Sequence, residues 1–348
     1  MSVRGIFWIP GAGLLAAALL TVPAADLYYR STSGRGCARC HEISFSRDEW
    51  NHSAHRGINC MDCHTSSFRT NLRRVLAHVT GTVPDQVHLG TADVIAMQSR
   101  CQGCHRQEFA QWAAGGHSAT YARLFLDREH NRKRLLADDC LRCHGMHYEG
   151  GIQTLVEPVT TAGPWRLKNS ALADQPAIPC LACHSVHRLG QPLSKPRERL
   201  SPAEEILRPG VGFFDRRTRT SITGSILGLP LIYQGERAVR TSPDPRQAIC
   251  YQCHAPLANM QAGSGDDRTP LGVHEGLSCL ACHQTHGEWT RRSCADCHPR
   301  LSNCGIDVER MDTTFANPKS AHNVHTVKCA DCHVKGVPKK KAPRRDDP

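Results

Sequence analysis

The pattern Cys-x-x-Cys-His constrains this chain more than any other feature. It occurs nine times in 348 residues, at Cys37–His41, Cys60–His64, Cys101–His105, Cys140–His144, Cys180–His184, Cys250–His254, Cys279–His283, Cys294–His298 and Cys329–His333. These copies use eighteen of the nineteen cysteines and leave only Cys304. In such a motif the two thiols form thioethers to the vinyl groups of a haem, and the adjacent His ligates the iron. Two residues between the cysteines let a single helical turn span both vinyls.

Zinc ribbons and knuckles also pair Cys-x-x-Cys units, but they do not call for a His after every second Cys. With 21 His in 348 residues, a following residue is His about 6% of the time by chance. Nine such coincidences have odds on the order of one in 10¹¹. Redox Cys-x-x-Cys motifs fail the same test, and a disulfide framework has no need of uniform spacing. The expectation is a multihaem c-type cytochrome with nine covalently attached haem c groups. The thioethers would form at Cys37, Cys40, Cys60, Cys63, Cys101, Cys104, Cys140, Cys143, Cys180, Cys183, Cys250, Cys253, Cys279, Cys282, Cys294, Cys297, Cys329 and Cys332. The proximal iron ligands would be His41, His64, His105, His144, His184, His254, His283, His298 and His333.

Twelve histidines remain, enough for every haem to take a second imidazole. Two patterns select among them. His55, His274 and His325 stand a few residues before a motif, with His52 and His322 three residues further back. His147, His187 and His286 follow a motif His by three residues. Each is too near its own motif to reach the far face of the same haem, so it is expected to ligate a neighbouring one. His117 joins this group of second-ligand candidates; His78, His88 and His130 rank behind. Met is the rival ligand and would raise the potential. Met146 lies too close to its own motif.

About 36 exported residues per haem is little protein for so much porphyrin, so haems should form much of the core; this explains an aromatic content of only 5%. The fold class expected is mainly α with long loops, a haem-cored multihaem cytochrome c with few strands. Motif intervals are too uneven for a solenoid, which points to a repeated motif rather than a repeated fold. A helix is predicted over Phe68–Val79, where Phe68, Leu72, Val75, Leu76 and Val79 line one face and Gly81 ends it. Another is predicted over Ser118–Leu136. A short one should start at the capping box Ser201-Pro202-Ala203-Glu204. Thr220–Gly235 is uncharged but short and broken by Gly and Pro, and is expected to be a buried or interfacial loop.

These features divide the chain into residues 1–25, a signal anchor or signal peptide; 26–187, a five-haem region; 188–249, a haem-free Arg/Pro-rich connection; 250–335, a four-haem region; and 336–348, a basic tail. Covalent haem attachment belongs outside the cytoplasm, and Arg4 followed by the uncharged stretch 5–25 supplies an export signal. Its length suits an anchor on the periplasmic side of the cytoplasmic membrane. The core Leu14–Val22 followed by Pro23-Ala24 suits cleavage instead, which would leave a soluble or cell-surface product. The formal charge of +11 invites a nucleic-acid reading. However, a ferric haem with ionised propionates carries about −1, so nine bring the sum to roughly +2. No nucleic-acid partner is expected.

The segment from Arg4 to about Tyr148 resembles the NapC/NirT family of membrane-anchored quinol dehydrogenases, which includes the NrfH type. The matching residues are the anchor, Tyr29-Arg30-Ser31-Thr32 before Cys37-Ala-Arg-Cys-His-Glu, Trp50-Asn-His-Ser-Ala-His55 leading into Cys60-Met-Asp-Cys-His, and the motifs at Cys101 and Cys140. The resemblance implies four haems that take electrons from membrane quinol and pass them to a periplasmic partner. The family often carries Met two residues after its first motif His, whereas Ile43 stands here, which leaves the first haem's ligation open. The five further haems look like an added conduit. The leading expectation is therefore an electron carrier between membrane quinol and periplasmic or extracellular redox proteins, without catalytic residues of its own and with an open oligomeric state. The alternative is a reductase of nitrite, hydroxylamine or a sulfur oxyanion at one open-site haem.

Overall fold

The computed structural model describes residues 43–64, 67–83, 88–187, 210–224, 226–255, 267–287, 297–298 and 322–333, with scattered residues between 13 and 39. Cys37, Cys40, His41, Cys294 and Cys304, the helix expected at Ser201 and the basic tail lie outside them. So does most of the stretch 5–25. Among the described residues no helix is long and apolar enough to cross a membrane.

Around the His144 motif the chain builds a core from its own side chains. Tyr121, Phe125, Leu141, Leu155, Val156 and Leu172 are buried together there. Each large apolar side chain so buried contributes about 1.5–3 kcal/mol. Backbone bonds close this core. Gly145 N–H donates to Ala177 O at 2.9 Å and Ala177 N–H to Ala119 O at 3.0 Å, so residues 119–122 and 173–177 run side by side.

Elsewhere the chain is mostly helix and loop with a few short antiparallel strand pairs, which is the expected class. The predicted helix Phe68–Val79 is present. Ser118–Leu136, expected as one helix, is not: Gly116–Ser118, Tyr121–Phe125 and Arg128–Lys133 are separate turns. The cause is local capping. The Thr120 hydroxyl accepts from Arg123 N–H, and the Asp127 carboxylate accepts from Glu129 and His130 N–H at 2.9 and 3.1 Å. Two helix starts inside the span compete with a continuous ladder.

The expected loop Thr220–Gly235 instead contributes to two hairpins. β1 (Val156–Glu157) pairs with β2 (Arg166–Leu167) near the His144 core. β3 (Gly212–Asp215) then pairs with β4 (Thr220–Thr223), Phe213 opposite Ile222, and β5 (Ile232–Gln234) with β6 (Arg237–Val239), Ile232 opposite Val239. Both hairpins are wedges between motifs. Phe213 packs with Met146 and Ala182 against Cys183 and Cys253, joining three motif segments. Ile232 and Val239 pack with Tyr251 and Ala255 against Leu271 and Cys279, joining two. Apolar side chains here are covered by motif segments rather than by a second layer of sheet, so hydropathy alone did not single the strands out.

Candidate haem-binding sites

Seven motifs are described well enough to compare, and all make the same turn. The motif His N–H donates to the carbonyl of the first Cys at 2.8–2.9 Å in His64, His105, His144, His184, His254, His283 and His333. This is one helical turn, and it places both cysteines and the imidazole on a common side of the backbone. Fourteen motif cysteines lie in the described residues with free thiols, as thioether formation requires.

The second ligands are the sharper test. Six motif imidazoles each face a non-motif imidazole across a gap of nearly constant width. The ring centres are 6.0 Å apart for His105 and His55, 5.8 Å for His64 and His187, and 6.0 Å for His254 and His117. They are 5.8 Å apart for His184 and His286, 6.2 Å for His298 and His274, and 6.1 Å for His283 and His325. The other ring pairs scatter more widely, from 3.9 Å for His147 and Phe214 to 6.4 Å for Tyr121 and Tyr148. An iron held between two imidazoles needs a metal–nitrogen distance of about 2 Å on each side, plus about 1.1 Å from nitrogen to ring centre, or about 6 Å in total. The interplanar angles run from 14° to 78°. That spread is compatible with coordination, because each ring can rotate about the shared axis while keeping its nitrogen on it. The residues present fit haem c with two axial imidazoles.

Neighbouring carbonyls set the tautomers. His187 Nδ1 lies 2.8 Å from Ser46 O, and His274 Nδ1 lies 2.8 Å from Val324 O. A carbonyl oxygen only accepts, so Nδ1 carries the proton and Nε2 keeps its lone pair for a metal. Burial, then the neighbouring His105 and His187, pushes the His55 imidazole below its ordinary pKa. Burial pushes His147 down to about 4. Both are therefore neutral at pH 7, the form that ligates.

The remaining candidates are placed differently. His147 stacks on Phe214, and its buried Nε2 has no hydrogen-bond partner. His52 is exposed and turns back on its own helix, Nδ1 2.7 Å from Asp48 O. His322 is half-buried, one turn before His325.

Two glutamines bear directly on the sites and were not anticipated. Gln98 Oε1 accepts the backbone N–H of Cys180 at 3.2 Å, and Gln247 Oε1 accepts that of Cys279 at 3.2 Å. Each glutamine stands three residues before the first Cys of another motif, so the signal Gln-x-x-Cys-x-x-Cys-His was present twice in the sequence. The buried Nε of Arg216 has no partner, while its terminal nitrogen donates to Gly150 O. A buried guanidinium edge of this kind suits a haem propionate.

Residues 100–185 match the family of cytochrome c554 and c-prime, and residues 237–299 match that of cytochrome c7 and related cytochrome c. No curated protein and no solved structure is significantly similar to the chain. With the site geometry, the two matches support a multihaem c-type cytochrome that binds haem covalently and transfers electrons to redox partner proteins.

Proposed function

We propose that this chain is an exported nonahaem cytochrome that carries electrons from membrane quinol to a periplasmic or extracellular acceptor protein. The observation that carries the reading is the set of six imidazole pairs with centres 5.8–6.2 Å apart. Haem c supplies reversible one-electron iron chemistry when bound. The chain's residues do the rest. Thioether-forming cysteines fix each ring in place, and the paired imidazoles leave no coordination position for a substrate at those six sites. An iron held that way would exchange electrons and offer a small molecule no entry, so these six sites suit a carrier, and a reductase would have to use the His41, His144 or His333 site.

The anchor and the quinol donor rest on the uncharged stretch 5–25 and on the NapC/NirT resemblance of residues 4–148. Intact mass of purified protein gives the haem count and the N-terminus together. Nine haems on a chain that retains Arg4 support the proposal, and a chain beginning near Ala25 removes the anchor. In membranes, reduction of the haems by a quinol analogue is the second expected result. A high-spin ferric signal that shifts when nitrite is added would overturn the carrier reading.

A further inference from the structure

Contacts between motifs repeat with a regularity that their uneven sequence intervals hide. The turn Cys60–Cys63 of the His64 motif packs against the helix Thr91–Cys104 that ends in the His105 motif, and Arg100 donates to Asp62 O at 2.9 Å. The helix Thr91–Cys104, which carries Cys101, in turn packs against the turn Cys180–Ala182 of the His184 motif. Gln98, three residues before Cys101, holds the Cys180 N–H. His187, three residues after His184, faces His64 across 5.8 Å.

The same four relations recur further along. Cys183, the second Cys of the His184 motif, packs in one cluster with Cys253, the second of the His254 motif. Cys279, the first Cys of the His283 motif, packs against the cluster that holds Tyr251 of the His254 motif. Gln247, three residues before Cys250, holds the Cys279 N–H. His286, three residues after His283, faces His184 across 5.8 Å. The third motif of both sets is spelled Cys-Leu-Ala-Cys-His.

We infer that the haem sites form an overlapping three-site repeat: His64–His105–His184, then His184–His254–His283, then His283–His298–His333, each unit sharing its last site with the next. This rests on the haem-binding reading above. The third unit has two of the expected imidazole relations. His325, from the segment of its last motif, faces His283, the first. His274, five residues before Cys279, faces the middle His298, just as His55, five residues before Cys60, faces His105. The middle unit departs once, because His117 is what faces His254. In the third unit Arg291 stands where a glutamine would.

Two consequences follow from the sharing. The His184 and His283 sites are the joints through which one unit reaches the next, and the conduit runs His64, His105, His184, His254, His283, passing over the His144 motif. The His144 motif, inserted between the second and third members of the first unit, stands outside the repeat. It meets the repeat sideways, where Met146, just beyond it, packs in one cluster with Cys183 and Cys253.

The discriminating experiment uses the full haem-loaded chain, whose haem mass and Soret absorption first establish that haem is attached at all. His286→Met should give one methionine–iron charge-transfer band and move one redox transition upward. In a chain also carrying Cys180→Ala and Cys183→Ala, one haem lighter by mass, the same substitution should give no such band. Persistence of the band there, or its absence in the intact chain, overturns the repeat. If the lighter chain does not mature, paramagnetic NMR of the intact His286→Met protein decides. Nuclear Overhauser contacts from the methionine-ligated haem to Leu181 support the shared site, and contacts to Leu280 overturn it.

Discussion

Gln247 holds the backbone N–H of Cys279 on its Oε1 at 3.2 Å while its Nε2 donates to Ser242 O at 2.6 Å. The side chain is fully buried, so both partners depend on it. Gln247→Leu keeps the shape and strips two buried groups of their bonds, at about 1–3 kcal/mol each. Gln98→Leu should cost less. Gln98 also accepts a motif N–H, from Cys180, but its own Nε2 is buried without a partner, so substitution removes one orphan as it creates another. Thermal unfolding of the two variants side by side checks the order. Equal losses would mean that the glutamines act through something other than these bonds.

The phrase His-x-Gly before a motif occurs at His55–Gly57 and at His274–Gly276, yet its two glycines have different duties. Gly276 has φ +89, and a Cβ there would press on the Arg240 guanidinium. Gly57 has no atom within 4 Å of the place a Cβ would occupy. Gly276→Ala should destabilise by about 1–3 kcal/mol, and Gly57→Ala should be near neutral or slightly stabilising. Chemical denaturation of the haem-loaded variants measures both.

Why the sequence disclosed some of this and hid the rest is a matter of range. Haem attachment is local chemistry: two thiols and an imidazole must meet one ring, so the constraint is written within five residues. Second-ligand candidates such as His187 and His286 stood out for the same reason, since each stands one turn beyond a motif. Which motif imidazole each faces was not legible. The pairing of His184 with His286 spans 102 residues, and it depends on how the hairpins of residues 212–239 wedge the motif segments together. Those strands were missed because their apolar side chains meet motif cysteines and loops, which leaves no regular alternation to detect. The helix expected over Ser118–Leu136 failed at Thr120 and Asp127, whose caps compete within three residues against a weak apolar stripe.

Asp244 connects the His254 and His283 segments. Its carboxylate accepts from Arg246 Nε and Nη2 at 2.9 and 2.8 Å, and from the Ser278 hydroxyl at 2.9 Å. The Arg246 bonds, then that hydroxyl, hold its pKa below the ordinary carboxylate range. A depressed carboxylate stabilises the fold at pH values above its unfolded pKa, about 3.9, and the contribution fades as pH falls through the lower folded value. Asp244→Asn should therefore unfold more easily than the parent at pH 7, by on the order of 1 kcal/mol after solvent screening. The gap should close below about pH 4. Unfolding curves for the pair at several pH values test this, and a gap that widens in acid would refute it.

His187 lies 141 residues from Ser46, whose carbonyl accepts its Nδ1–H at 2.8 Å, and its ring faces His64 across 5.8 Å. The orientation is set by a backbone group, so no side chain near Ser46 needs to change for the imidazole to keep its aim. Ser46→Ala should leave the spectrum of the loaded protein unaltered. His187→Gly should instead leave the iron beside His64 with one protein imidazole and an open position. Haem mass should stay the same, because the thioethers at Cys60 and Cys63 do not depend on the second ligand. One low-spin ferric signal should be replaced by one high-spin signal, and free imidazole should restore the first by filling the vacated place. Electron paramagnetic resonance with and without imidazole measures this. An unchanged low-spin count in the glycine variant would show that His187 ligates nothing, and loss of haem mass would show that it is needed for attachment rather than for ligation.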